Sequence, residues 1–162
     1  MSGDPMPDRN LELIDKLAWM VETRGYAVEP VKPVDDPAHP QPGYTFTVGL
    51  EATWGHPEVG LWGLAPAAAR GLIDLVAAQV AAGIELPVGA VFAGLLENDL
   101  RSALVTVDVE VADPRFPGAA LFYGETPFRM LQFVWPDRAG LLPWEDGYDR
   151  RLRVAQPVIG HW

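Results

Sequence analysis

The stretch Ala103-Leu-Val-Thr-Val-Asp-Val-Glu-Val111 gives the clearest secondary-structure signal in the chain. Apolar residues recur at every second position from Val105 onward, and polar or acidic residues stand between them. This alternation is typical of a strand that turns one face to the core and the other to polar surroundings. The stretch therefore predicts one strand of a sheet, and the rest of the chain can be placed around it.

Strands are predicted on both sides of this stretch. Residues 44–50 and 58–64 are rich in β-branched and aromatic residues, and we expect them to pair as a hairpin across a connection at residues 51–57. Further strand segments are predicted at residues 26–31, 84–98, 128–135 and, at a sheet edge, 150–159. Residues 117–123 are interpreted as a helical turn.

Two longer segments have helical periodicity. In the first, apolar residues between Leu13 and Val21 recur on one face, and Gly25 ends the helix. The second has Pro66 in its first turn and stops at Gly83. Because helices and strands do not alternate regularly, we predict an α+β fold with a mainly antiparallel sheet packed against two principal helices.

The length of 162 residues fits one domain. Residues 1–8 are polar and Pro-rich and are predicted to form a flexible tail, and residues 9–162 a single α+β domain. Residues 32–43 hold four prolines together with His39, so we expect a mobile loop there.

The charge balance and the absence of cysteine exclude several classes of protein. At a net charge of −10 the surface repels phosphate backbones, so nucleic-acid binding is not expected. Without cysteine the chain cannot use thiolate catalysis, iron–sulfur clusters or disulfides. No membrane span or signal peptide is predicted. Only two of the twelve basic residues are lysine, and alanine, glycine, proline and valine are abundant, which suggests a GC-rich bacterial genome. We expect a cytoplasmic protein whose acidic surface suits a basic protein partner.

Several pieces of the sequence carry a resemblance to a known family through their order and spacing. They are Tyr44-Thr-Phe-Thr-Val-Gly-Leu50, Gly55-His-Pro-Glu58, Gly63-Leu64, Phe122-Tyr-Gly124, Leu131-Gln-Phe-Val-Trp-Pro-Asp137, Pro143-Trp-Glu145 and Gln156-Pro157. Over residues 44–159 the chain resembles the bacterial family DUF4262, which has no assigned function. The resemblance implies a stand-alone, cytosolic, single-domain protein and assigns no catalytic residues.

The first candidate site is Gly55-His-Pro-Glu58. On an extended chain His56 and Glu58 point the same way, so they could act as a general base and its partner. A metal site would need a third ligand from His39, His161 or an acid, and we predict neither a metal nor another cofactor. In the alternative interpretation His56 is structural and bonds to backbone within the connection.

The second candidate site is Gln132-Phe-Val-Trp-Pro-Asp-Arg-Ala-Gly-Leu-Leu-Pro-Trp-Glu145, which combines two tryptophans with several chain-breakers. Trp135 and Trp144 could wall a pocket, in which Gln132 and Asp137 orient a flat or apolar ligand. The predicted ligand-binding residues are Trp135, Trp144, Gln132, Glu145 and Tyr123. In the alternative interpretation Trp135 packs on the core, and Trp144 anchors a loop that folds over the strand end.

Two functions from different classes remain open. The first, which we favour, is a binding or interaction module that holds a small molecule, a peptide or a partner protein in the Trp-lined site. The second is a small acid–base or metal-assisted hydrolase in which His56, Glu58 and Asp137 carry the chemistry. An enzyme requires His56 and an acid within hydrogen-bond reach in a cleft. In either case we expect a monomer or a homodimer.

Overall fold

The computed structural model describes residues 9–162, with side chains from residue 12 onward, so the predicted tail at residues 1–8 lies outside the described residues. The described chain contains five α-helices and six β-strands. The helices are α1 (Arg9–Arg24), α2 (Leu50–Trp54), α3 (Pro66–Ala81), α4 (Pro117–Tyr123) and α5 (Arg150–Ala155). The strands are β1 (Ala27–Val31), β2 (Tyr44–Val48), β3 (Glu58–Trp62), β4 (Val91–Phe92), β5 (Ser102–Val107) and β6 (Met130–Val134).

The six strands form one sheet in the order β1-β2-β3-β6-β5-β4. Four of the five neighbouring pairs are antiparallel, and the central pair of β3 and β6 is parallel. In that pair Glu58 lies opposite Met130, and Gly60 lies opposite Gln132. Both central strands therefore begin at one end of the sheet and finish at the other, and the candidate residues divide between these two ends.

Helices cover both faces of the sheet. On one face α3 buries Ile73 and Val76 against Leu61 of β3. On the other face Leu17 of α1 and Phe116, just before α4, belong to a second buried cluster. All five residues of β3 are buried, because a central strand between two helical layers has no solvent-facing side.

Two predicted elements differ in detail near the middle of the chain. The interval at residues 51–57 is not a plain connection, since residues 50–54 form α2. The strand predicted at residues 103–111 ends at Val107, because its partner Met130 is the first residue of β6; further on, Ala112 has a positive φ of 56° and the chain turns toward Asp113. Asp113 holds that turn by accepting the backbone N–H of Arg115 at 3.0 Å.

The predicted edge strand at residues 150–159 is wrong over its first half. Residues 150–155 form α5, whose first turn is capped by Asp149 accepting the backbone N–H of Arg151 at 3.0 Å. The C-terminal segment instead meets β5 further on, where the backbones of Thr106 and His161 exchange hydrogen bonds of 3.0 and 2.8 Å. The backbone of the tail therefore pairs with the sheet at one isolated bridge.

The predicted α+β fold with a mainly antiparallel sheet is confirmed. Where two principal helices were expected, residues 9–162 contain five, of which α1 and α3 have 16 residues each and the others have five to seven. None of these helices combines the length and the apolar character needed to cross a membrane.

Candidate functional site

Glu58 begins β3, and its side chain is fully buried. Its Oε1 accepts hydrogen bonds from Thr47 Oγ1 at 2.8 Å and from the backbone N–H of Leu50 at 3.0 Å. Its Oε2 accepts the backbone N–H of Glu51 at 3.0 Å and the hydroxyl of Tyr123. Leu50 and Glu51 open α2, and the glycine before them offers no side-chain cap. The carboxylate therefore caps this helix from the adjacent strand.

The ionisation of Glu58 reflects this environment. Burial raises the pKa of its carboxyl group, while the hydrogen bonds, that of Tyr123 foremost, act in the opposite direction. Burial also raises the pKa of Tyr123, and the charge of Glu58 adds to that effect. A carboxylate offers about four acceptor positions. Since four donors fill them here, Glu58 has no acceptor position left for a metal ion or a substrate donor.

His56 lies two residues before Glu58 and bonds to the backbone. Its Nδ1 is 2.7 Å from the carbonyl oxygen of Pro57. Since a carbonyl only accepts, Nδ1 carries the proton and Nε2 is left as an acceptor. Burial lowers the pKa of the half-buried imidazole, which keeps this neutral form. Across residues 9–162 no group of three or more His, Asp or Glu side chains is placed to hold a metal ion.

Asp137 lies far from this pair. Its two oxygens accept the backbone N–H groups of Leu141 at 2.8 Å and Asp149 at 3.0 Å. It follows the end of β6, whereas Glu58 stands opposite Met130 at the beginning of β6. At about 3.3 Å per residue along a strand, the two carboxylates lie at opposite ends of the sheet. The structure therefore does not bring Asp137 together with His56 and Glu58.

The two tryptophans of the second candidate site have different surroundings. Trp135 is 8% exposed, belongs to the core cluster on the α3 face, and donates its indole N–H to the carbonyl of Trp62 at 2.8 Å. Trp144 is 40% exposed and meets Trp162 edge to face, with 4.8 Å between ring centroids. Trp135 thus contributes to the core, and Trp144 pairs with the C-terminal residue.

Two buried glutamines hold the C-terminal segment against the sheet. Gln132 accepts the backbone N–H of Ile159 at 2.7 Å and donates to the carbonyl of Pro157 at 2.8 Å. Gln156 reciprocates by accepting the backbone N–H of Trp135 and donating to its carbonyl, each at 2.9 Å. The amide of Gln132 therefore serves an internal contact of the fold.

Glu145 and Tyr123 also have internal partners. Glu145 pairs with the guanidinium of Arg101 at 2.5 and 3.0 Å and accepts the backbone N–H of Leu142 at 2.8 Å. The ring of Tyr123 stacks on Phe128, with 5.1 Å between centroids. The five predicted ligand-binding residues thus all have contacts within the protein, and their role toward a ligand stays a prediction.

A groove of about 890 Å³ opens at the end of the sheet where β3 finishes. One wall is the Pro-rich loop between β1 and β2, and the opposite wall is α5, through Val154 and Ala155. The floor runs from Gly63 to Pro66, between β3 and α3. Five prolines line the groove: Pro30, Pro33, Pro40, Pro42 and Pro66.

Gly63 permits the close approach of α5 that forms one wall. Its φ of +92° lies in the left-handed region, and a Cβ there would stand 2.5 Å from the carbonyl oxygen of Ala155. Gly63 also donates its N–H to the carbonyl of Gly43 at 3.0 Å, which ties the floor to the end of the Pro-rich loop. The groove is therefore shaped by backbone contacts among three separate elements.

Sequence reasoning missed the groove as a site. It identified the Pro-rich loop, but it interpreted the segment that forms α5 as a strand and had no means to place the two side by side. The available signal was the run of prolines itself, since proline holds a loop extended without backbone N–H groups and presents apolar rings to its surroundings.

Comparison with known proteins yields one match. The family model for a domain of unknown function, DUF4262, matches residues 20–149. The match begins at Met20 and not at Tyr44, so it also includes the Pro-rich loop, and it ends just before α5. Among curated proteins and among solved structures, none matches the chain. Since the family model covers most of its length, the chain belongs to the DUF4262 family.

Proposed function

We propose that this protein is a binding module that holds a small amphipathic molecule in the groove between the Pro-rich loop and α5. The observation that carries the proposal is the groove itself. Its volume of about 890 Å³ lies within the roughly 300–1,000 Å³ of small-molecule sites, and proline, valine and alanine side chains supply most of its lining.

The walls of the groove favour an apolar portion in the ligand. Val34 and Val154 are 53% and 71% exposed and stand on opposite walls. A ligand between them would remove apolar surface on both sides from water, at about 25 cal/mol per Å². The prolines restrict the loop before binding, so ordering the loop around a ligand costs less conformational entropy.

The hydrolase hypothesis has less support. Its three proposed residues are divided between the two ends of the sheet, and the carboxylate of Glu58 is occupied by four donors. The proposal therefore places ligand binding at the groove and a structural role at His56 and Glu58. It keeps the expectation of a cytoplasmic, bacterial protein that acts as a monomer or homodimer.

The first test is binding of the neutral apolar fluorophore N-phenyl-1-naphthylamine. Ala65 lines the groove, is exposed and has an extended backbone (φ −58°, ψ 149°) that accepts any side chain. In the Ala65→Trp variant the indole occupies the groove, and we expect its affinity for the fluorophore to fall on the order of tenfold, the effect of losing about 1.4 kcal/mol.

The matched control is Ala68→Trp, which puts the same side chain at an exposed position of α3 outside the groove. Wild type and Ala68→Trp should bind equally, and circular dichroism melts should confirm that all three proteins fold. The proposal fails if wild type does not bind the fluorophore, or if the two Trp variants bind it alike.

A further inference from the structure

We propose that the groove selects molecules whose apolar chain ends in a carboxylate, and that Lys32 and Arg151 recognise this anionic end. This inference rests on the proposed function, because it names the chemistry of the ligand that the groove would hold.

The charges at the groove are balanced, whereas those of the whole chain are mostly acidic. The protein carries 22 acidic and 12 basic residues, for a net charge of −10. The charged residues that line the groove are Lys32, Asp35 and Arg151, and Asp149, just before α5, pairs with Arg151 at 3.1 Å. The groove therefore lacks the acidic excess of the rest of the protein, and it has one cation on each wall, which is complementary to an anionic end group on an apolar body.

The ammonium group of Lys32 is able to bind an anionic ligand in the groove. This lysine is exposed on the Pro-rich loop, directly after β1. Among the ion pairs within residues 9–162, none involves Lys32. An ammonium group has three donors, so a carboxylate in the groove would be its partner.

Arg151 stands on the other wall and is oriented by its neighbour. Asp149 accepts Nε at 3.2 Å and Nη2 at 3.1 Å on one edge of the guanidinium. A guanidinium has five N–H donors in a planar fork, and Nη1 has no acceptor within the described residues. Asp149 also caps α5, so it contacts both the start of the helix and the arginine. The remaining edge can donate to a ligand carboxylate.

The experiment compares three eight-carbon probes that differ in their end group: octanoate, octan-1-ol and octylamine. Each is titrated against the fluorophore-loaded full chain at neutral pH. We expect octanoate to bind on the order of tenfold more tightly than octan-1-ol, because hydrogen bonds between charged groups are about twice as strong as neutral ones. Octylamine should bind most weakly.

Two variants test whether Lys32 and Arg151 produce the preference for octanoate over octan-1-ol. Lys32→Gln and Arg151→Gln should each lower the affinity for octanoate several-fold and leave that for octan-1-ol unchanged. The controls are Lys16→Gln, at the other lysine of the chain, and Arg150→Gln, the neighbour of Arg151 that does not line the groove. Both controls should keep the preference of wild type.

The outcomes separate this inference from the function on which it rests. If neither the fluorophore nor any probe binds, the groove is not a ligand site and both proposals fail. If the fluorophore and octan-1-ol bind but octanoate has no advantage, the groove binds ligands and the selection of carboxylates is wrong. Tightest binding of octylamine would overturn the inference in favour of recognition through Asp35.

Discussion

At the scale of single residues, Glu58 shows how one polar side chain in the core is accommodated. Burying a carboxylate is costly unless hydrogen bonds replace its water. Here two backbone N–H groups of α2 and two hydroxyl groups, from Thr47 and Tyr123, surround it. The same bonds provide a cap for a five-residue helix that is too short to be stable by itself. The residue therefore links β2, β3, α2 and α4.

This environment makes a prediction for Glu58→Gln. The amide has only one acceptor oxygen, so at least one backbone N–H of α2 loses its partner. We therefore expect the free energy of unfolding to fall by about 1–3 kcal/mol. The difference should depend on pH. Because burial raises the folded-state pKa of Glu58, its protonation stabilises the fold fully below the ordinary value of 4.5. That contribution is lost as pH rises through the raised pKa.

Urea unfolding of wild type and Glu58→Gln at several pH values measures this difference. The gap in unfolding free energy should be widest at acid pH and should narrow as pH rises. Using the difference between the two proteins removes the effect of carboxylates common to both, such as Asp113, whose pKa is lowered by hydrogen bonds from Arg115 and whose contribution is lost on acidification. A gap that widens with rising pH would contradict the interpretation.

At the scale of secondary-structure elements, α5 is the part of the fold that closes the groove, and its docking depends on Gly63. In the Gly63→Ala variant the methyl group would stand 2.5 Å from the carbonyl oxygen of Ala155. An L-residue at this φ also costs about 1–2 kcal/mol. We expect a loss of stability above that range, together with faster amide hydrogen exchange across residues 150–156, because α5 must move away.

Gly55→Ala is the matched control for this prediction. Gly55 also has a positive φ, of 69°, but nothing lies within 4 Å of a Cβ placed there. This variant should show the backbone cost alone, with hydrogen exchange in α5 unchanged. Equal losses of stability in the two variants, with no local change in exchange, would mean that the contact with Ala155 does not position α5.

The elements found by sequence reasoning are those with strong periodicity. Residues 44–48, 58–62 and 66–81 lie in the predicted strands and helix, since their alternation or helical spacing comes from burial on one face or both. The two helices that it missed, α2 and α5, have five and six residues and are too short to show a helical period. Glu58, at the start of β3, caps α2, and Asp149 caps α5.

The candidate site was harder to predict, because its contacts join residues that are distant in sequence. The sequence singled out His56 and Glu58, but it could not show that Thr47 and Tyr123 donate to that carboxylate, because those contacts depend on strand register and on the position of α4. Likewise, Trp135 and Trp144 are close in sequence, yet one belongs to the core and the other to the C-terminal surface.

At the scale of the whole molecule, the two ends of the sheet carry separate structures. Where β3 and β6 begin, Glu58 caps α2 and binds Tyr123. Where β3 finishes, Gly63 and α5 shape the groove. Gly63 lies five positions after Glu58, which corresponds to roughly 17 Å of extended strand. A buried strand of this length connects the two ends without a side chain common to both.

This separation predicts that changes at the two ends act independently. The losses of stability in Glu58→Gln and Gly63→Ala should add within about 0.3–0.5 kcal/mol in the double variant, as they do for sites without common partners. Glu58→Gln and Tyr123→Phe, which remove two partners of one hydrogen bond, should instead show a coupling of about 0.5–3 kcal/mol.

Each cycle compares four proteins: the parent, the two single variants and the double variant. Urea unfolding of all four measures the coupling in each cycle. The Glu58–Tyr123 cycle is the positive control, because it shows that the method detects an interaction in this fold. A coupling between Glu58 and Gly63 as large as that of the control would mean that β3 transmits strain from one end to the other. Binding in the groove would then alter the cap of α2, and the two ends of the sheet would be energetically coupled.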